Sequence, residues 1–243
     1  MKQKQEKIWR EHIKGFTVED VIAEYEHPAI FQKKLKDLID GFSNRYRDVI
    51  EVGCETGTTS FILDDSFNKT LIDLNSLAIE LAKKAFRKMG RDATFVVADM
   101  FNMPFKEKSF DVVFNAGVIE HFNKQERIMA LKEYSRILKD DGLMIIAFPN
   151  HYSFPYRSAY LVRNYLLLGY KWPYPKEYKI YDMKDEIAAS NLILKKRLII
   201  SKDSIFNWWN FFEPMKKFLK IVNKFINFEG YLTVLIIHKK NAE

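Results

Sequence analysis

A short apolar run that ends in an acid and passes straight into a two-glycine turn constrains this chain more than any other feature. The stretch is Asp48-Val49-Ile50-Glu51-Val52-Gly53-Cys54-Glu55-Thr56-Gly57-Thr58-Thr59-Ser60, and Phe61-Ile62-Leu63 after it can open a helix. A strand feeding a tight turn at the mouth of a helix points backbone N–H groups outward, and glycine lets a ligand approach the main chain. Such a turn suits a nucleotide-like cofactor. A dinucleotide fold would carry three glycines as G-x-G-x-x-G, with an acid about 20 residues on for the ribose. Here the loop has Gly53 and Gly57 only, and Glu55 stands where the middle glycine would sit. Glu51, two residues before Gly53, is an acid that the dinucleotide fingerprint does not need.

The strand-then-acid pattern recurs. Thr70-Leu71-Ile72-Asp73-Leu74-Asn75 reads as a second strand, with Asp73 20 residues after Gly53. Ser76 to Met89 carries apolar residues at Leu77, Ile79, Leu81, Ala82 and Phe86, the spacing of an amphipathic helix, and Gly90 stops it. Thr94-Phe95-Val96-Val97-Ala98-Asp99-Met100 is a third strand ending in an acid. Phe110 to Gly117 is a fourth, followed by Val118-Ile119-Glu120-His121. Glu133 to Leu138, then Lys139-Asp140-Asp141-Gly142 and Leu143 to Phe148, reads as helix, turn and fifth strand. A single acid at a strand end is often a turn former or a helix cap. Three in succession at the carboxyl edge, where open α/β sheets bind ligands, point to one site. Asp111 begins its strand and is expected to support the fold.

In this order and spacing the chain resembles the class I S-adenosylmethionine-dependent methyltransferases, from about Asp48 to Asn150. The resemblance implies an α/β three-layer sandwich with a seven-stranded, mostly parallel sheet and a terminal antiparallel strand. It implies S-adenosyl-L-methionine as cofactor, held by Glu51, Gly53, Cys54, Gly57, Asp73, Leu74, Asp99, Met100 and Asn115. Asp73 would accept both ribose hydroxyls, and Asp99 would accept from the adenine amino group between apolar neighbours. Asp141 replaces a family glycine, and Glu55 crowds the methionine end of the cofactor.

The 243 residues suit a single domain: a helical cap over 1–45, a cofactor-binding core over 46–150, a basic aromatic insert over 151–190, and last strands with an inserted amphipathic helix over 191–243. One cysteine excludes an intrachain disulfide. The charged N-terminus does not read as a signal peptide, and no apolar run is long enough to span a bilayer, so a cytoplasmic protein is expected. No cluster has metal-ligand spacing, and no metal is expected.

Charge is uneven. Of 39 Lys+Arg and 32 Asp+Glu, 16 and 8 lie from His151 onward, so the whole excess sits in the last third. That region is also aromatic, with Tyr152, Phe154, Tyr156, Tyr160, Tyr165, Tyr170, Trp172, Tyr174, Tyr178 and Tyr181 close together. We read it as a lid over a small or lipid-like acceptor, with Tyr152, Tyr156 and Arg157 facing that acceptor. Met215, Phe218, Leu219, Val222, Phe225 and Ile226 make one helical stripe, expected to pack over the sheet with Lys216, Lys217, Lys220 and Lys224 in water. The sharper alternative for those lysines is a surface for anionic lipid or nucleic acid.

Methyl transfer from a sulfonium is an in-line displacement that needs alignment and exclusion of water. A hydroxyl acceptor also benefits from a base, and His121 is the candidate, with His151 second. Asn115-Ala116-Gly117-Val118 lacks the Pro-Pro-aromatic signature of base-amine methyltransferases. The expected reaction is therefore methyl transfer to a small or lipid-like acceptor, O- before N-. The alternatives are an RNA-directed methyltransferase and a non-catalytic S-adenosylmethionine-binding protein.

Overall fold

The computed structural model describes the backbone of residues 2–166 and 177–240 and the side chains of residues 7–163, 165–166 and 177–240. The order of elements runs α1 (Lys2–Ile13), α2 (Val18–Glu26), α3 (Ile30–Asp40), β1 (Asp48–Val52), α4 (Thr58–Ile62), β2 (Asn68–Asp73), α5 (Ser76–Lys88), β3 (Thr94–Val97) and β4 (Phe110–Ala116). It continues through α6 (Lys124–Ile137), β5 (Leu138–Pro149), α7 (Phe154–Leu161), α8 (Lys184–Ala189), β6 (Leu192–Ile200), α9 (Glu213–Ile226) and β7 (Leu232–Lys239). Short 3-10 turns at Ile119–His121 and Lys202–Trp209 and a π turn at Val162–Leu166 connect them. Tyr170, Trp172 and Tyr174 of the aromatic insert lie outside the described residues.

The seven strands form one sheet in the order β3-β2-β1-β4-β5-β7-β6. All pairings from β3 to β5 are parallel, and β7 runs antiparallel to both β5 and β6. Alternate strand residues serve opposite faces, and both faces are covered, as a parallel sheet requires. Ile50, Val52, Val113, Met144 and Ile146 pack with Ala130, Leu131 and Tyr134 of α6 on one side. Val49, Val112, Phe114, Ile145 and Ala147 pack with Leu35 and Ile39 of α3 on the other, and Leu71 joins Ala78, Ala85 and Phe86 of α5. This is the expected three-layer architecture.

Local chemistry fixes the helix ends that frame the sheet. Thr17 and Asp20 make a reciprocal capping box on α2, and Asn123 and Glu126 make another on α6. Asp111 accepts hydrogen bonds from the Arg47 and Asp48 backbone N–H groups and meets the Lys139 ammonium at 2.8 Å, which is the supporting role expected of it.

Two expectations change. The Lys139–Gly142 stretch is not a turn before the fifth strand: β5 starts at Leu138, and these residues bulge where Phe110 pairs with Leu138 and Val112 with Leu143. The α9 stripe is also split. Leu219 is buried and Met215 and Val222 are half-buried against Ala159, Ile205, Trp209 and Phe228, whereas Phe218, Phe225 and Ile226 face solvent. The helix rests on this small satellite cluster, which is narrower than the stripe itself.

Candidate active site

A cavity of about 530 Å³ opens between the carboxyl edges of β1, β2, β3 and β4, where the strand order reverses. Open α/β sheets bind ligands at this switch point. The glycine turn forms its floor. Gly53 at φ 70° and Gly57 at φ 76° use the left-handed region that glycine enters without strain. The Gly53 and Cys54 N–H groups both donate to the Ile72 carbonyl, at 2.8 and 3.1 Å, which pins the turn to β2. A Cβ on Gly53 would lie 2.7 Å from a Val118 methyl, and one on Gly57 would lie 2.1 Å from a Leu71 methyl.

The acids come together as the spacing predicts, each with a defined partner. Glu51 is buried, and its Oε2 accepts from the Ser60 N–H at 3.0 Å and the Ser60 hydroxyl at 2.5 Å, so it anchors α4. Asp73 accepts from the Asn75 N–H at 2.8 Å through Oδ1 and from the Glu55 N–H at 2.9 Å through Oδ2. Each carboxylate oxygen can accept twice, so capacity for ribose hydroxyls remains. Asp99 Oδ1 accepts from the Phe101 N–H at 3.1 Å, and Leu74, Met100, Phe101 and Phe122 provide apolar wall beside it.

Glu55 takes a left-handed φ of 50° and sets its carboxylate 3.3 Å from His12 Nε2. Its side chain keeps 39% of its surface accessible because it faces the hollow of the cavity, walled by protein, rather than bulk water. Burial, with Asp73 and Glu24 nearby, pushes its carboxyl up to about 8. Burial raises Glu51 to about 7 and raises Asp73 and Glu24 as well. Among the described residues that line the cavity there are four carboxyl groups at this end and no Lys or Arg. A site this short of positive charge favours a cationic ligand and opposes a pyrophosphate.

Three of the expected cofactor residues need a different account. Asn115 is fully buried behind the wall, where its Nδ2 donates to the Tyr134 hydroxyl at 3.1 Å and that hydroxyl donates to Met100 Sδ at 3.4 Å. Gly57 lies beneath the wall as the N-cap of α4. Cys54 does line the cavity, with a buried thiol raised well above its usual range by burial, so it packs rather than reacts.

His121 is 4% exposed and lines the cavity, its ring 5.4 Å from that of Trp9. Tyr152, Tyr156 and Arg157 do not line it. Tyr152 is exposed against Tyr181, and Arg157 lies over the Tyr160 ring. Tyr156 is buried and donates its hydroxyl to Glu177 Oε2 at 3.0 Å, and His151 Nε2 lies 3.5 Å from the same oxygen. Glu120 belongs to this buried neighbourhood: burial first, then the charge of Glu177, pushes its carboxyl up to about 8.

Sequence reasoning missed the contribution of the N-terminal helices. Trp9 and Ile13 of α1 and Glu24 of α2 line the cavity. Asn75 Nδ2 donates to the Trp9 carbonyl at 3.3 Å, the Thr56 hydroxyl donates to Glu24 at 3.1 Å, and the Tyr25 hydroxyl donates to the Thr56 carbonyl at 2.5 Å. These residues carry no motif; only the Asn75 cap sits in a recognisable pattern.

Residues 49–142 match the family described as a methyltransferase domain. Over 100 residues the chain is 34% identical to a probable tRNA methyltransferase 9B of Bos taurus, covering 40% of this chain and 20% of that one. Over 99 residues it is 35% identical to a phthiotriol/phenolphthiotriol dimycocerosates methyltransferase of Mycobacterium tuberculosis, covering 40% and 35%. The chain spans from 20% to 48% of the length of the curated relatives it matches. Its fold is that of a S-adenosylmethionine-dependent methyltransferase from Clostridium acetobutylicum, with a TM-score of 0.61 at 14% identity over 90% of this chain and 96% of that one. Residues 49–142 thus resemble a methyltransferase domain, and the sheet order and the acid-edged cavity at its switch point agree with that resemblance.

Proposed function

We propose that the protein transfers a methyl group from S-adenosylmethionine to a small or lipid-like acceptor, at oxygen before nitrogen. The observation that carries this reading is the cavity itself. Acids from the carboxyl ends of three adjacent parallel strands surround one glycine turn, with no Lys or Arg among the described lining residues. S-adenosylmethionine supplies a methyl group on a sulfonium, a cation such a site attracts. Asp73 would hold the ribose hydroxyls, Asp99 the adenine amino group, and Leu74 and Met100 the faces of the ring. The remaining acids, Glu51, Glu55 and Glu24, lie at the other end with raised carboxyls, and a bound cation would favour their ionised forms. Trp9 and Ile13 of α1 line the cavity and would keep water from the bound cofactor, which favours a displacement that annihilates charge. His121, on the wall beyond β4, would take the proton of a hydroxyl acceptor.

Calorimetric titration with S-adenosylmethionine and, separately, with NAD tests the cofactor: binding of the first alone is expected, and binding of NAD would overturn the reading. Incubation with methyl-labelled cofactor and separate small-molecule, lipid and bulk RNA fractions tests the acceptor. Label in the small-molecule or lipid fraction, reduced at least tenfold by His121→Gln, is expected. Label in RNA would transfer the assignment to an RNA-directed enzyme.

A further inference from the structure

The outward side of α9 carries two parallel rows. Phe218, Ile221 and Phe225 follow one another at i, i+3 and i+7 with 58%, 58% and 85% of their surfaces exposed. Lys217, Lys220 and Lys224 repeat the same spacing one position earlier, and all three are exposed. On a helix these spacings place each set along one edge, so the lysine row borders the apolar row along its length. Among the described residues no carboxylate lies within ion-pair distance of those three lysines; the helix's one acid, Glu213, pairs with Lys216 instead. The opposite side is anchored, because Leu219 is buried with Trp209 and Ile205. Phe211 and Phe212, just before the helix, are also exposed, and Arg163 lies over the Phe211 ring at 4.6 Å.

We propose that this face of α9 docks the protein on an anionic lipid surface. Large apolar side chains held outward on a rigid helix are costly in water and gain by entering the headgroup–acyl boundary, while a bordering lysine row reaches lipid phosphates. Charge complementarity selects this occupant. A second copy packed on the same row would bring two sets of three lysines into one interface without carboxylates to pair them. RNA would engage the lysines and leave the Phe218–Ile221–Phe225 row in water. The face lies apart from the cavity, none of its residues lining that site, so the proposal stands independently of the methyl-transfer reading. It adds a location from which a lipid-like acceptor could be drawn.

The test is sedimentation of the full chain with vesicles of phosphatidylcholine alone and of phosphatidylcholine mixed with phosphatidylglycerol, at low and physiological salt. Binding to the mixed vesicles that weakens with salt is expected. Phe218→Ser with Phe225→Ser should abolish it. Lys217→Gln, Lys220→Gln and Lys224→Gln should weaken it about fivefold per lysine and flatten its salt dependence. The substituted side chains are exposed, so thermal midpoints and S-adenosylmethionine titration should match the parent protein and certify folding. No binding to anionic vesicles by a protein that passes that control would overturn the proposal. So would a concentration-dependent dimer in light scattering that the Phe218/Phe225 pair of substitutions removes, or retention on bulk RNA that exceeds retention on vesicles.

Discussion

Asp73 shows how one side chain can serve both the turn and the ligand. Its two oxygens already accept from the Asn75 and Glu55 backbone N–H groups, so Asp73→Ala would strip the turn of two acceptors as well as remove the ribose contact. Asp73→Asn keeps one acceptor and is the sharper probe. It should weaken S-adenosylmethionine binding by about 2 kcal/mol, about thirtyfold in Kd, because charge-assisted hydrogen bonds to the hydroxyls are lost. An unchanged Kd in calorimetry would refute the ribose role. Glu55 is the chain's departure from the family glycine, and its carboxyl is pushed up to about 8. Below that pH it is mostly protonated and adds little charge. Glu55→Gln should therefore leave affinity within about threefold near pH 6.5 and lower it only at higher pH, where the native carboxylate attracts the ligand cation. Equal loss at both pH values would show that Glu55 contacts the cofactor by a hydrogen bond instead.

Among the elements, the β1–α4 turn and α6 set the shape of the site. Gly57 caps α4 at φ 76°, over Leu71 in the core. Gly57→Ala should destabilise the empty protein by about 2 kcal/mol, from left-handed strain and displaced packing, read as a lower denaturant midpoint. An unchanged midpoint with weaker cofactor binding would restore the contact role that the sequence implies for this glycine. At the far wall, Glu133 and Arg136 of α6 hold the chain after β3: the Met103 N–H donates to Glu133 at 2.7 Å, and Arg136 donates to the Phe105 and Met103 carbonyls at 2.7 and 3.0 Å. The passage Glu133-Tyr134-Ser135-Arg136 thus positions the segment that follows Asp99 and Met100. It does so from behind, through Tyr134 and these backbone bonds, without lining the cavity.

For the whole molecule the raised carboxyls govern pH dependence. Glu51, Glu55 and Glu120 sit at about 7, 8 and 8 when folded, against an ordinary carboxyl value of 4.5. The folded protein therefore binds more protons than the unfolded chain across this window. Their contribution to stability is full below the unfolded value and is lost as pH rises through the folded values. The thermal midpoint of the empty protein should fall between about pH 6 and about pH 9. A cation bound at the acidic end favours the ionised forms, so cofactor binding releases protons and stabilises most at the upper end of the range. Calorimetry in buffers of different ionisation enthalpy counts those protons. The ligand's own amine titrates identically for the parent protein and for Glu55→Gln, so the difference between them isolates Glu55. A midpoint that rises over the same window would mean that these groups are ionised in the folded state.

The sequence by itself determined the sheet core, the turn and the edge acids, because these are local: a strand period, a glycine required at positive φ and an acid at a strand end leave their pattern in consecutive residues. It also placed Asp111 in support of the fold. Only the tertiary structure decided what fills the space around them. Asn115 and Gly57 occupy motif positions, yet one is turned to Tyr134 and the other lies under the cavity wall. Tyr156 was expected at the acceptor and is committed to Glu177. Trp9 and Glu24 reach the cavity through helices distant in sequence, by contacts that no spacing encodes. The apolar residues of α9 show the limit most plainly. Their period specifies a helix, but the width of the cluster beneath it decides that Leu219 is buried and Phe225 is left at the surface.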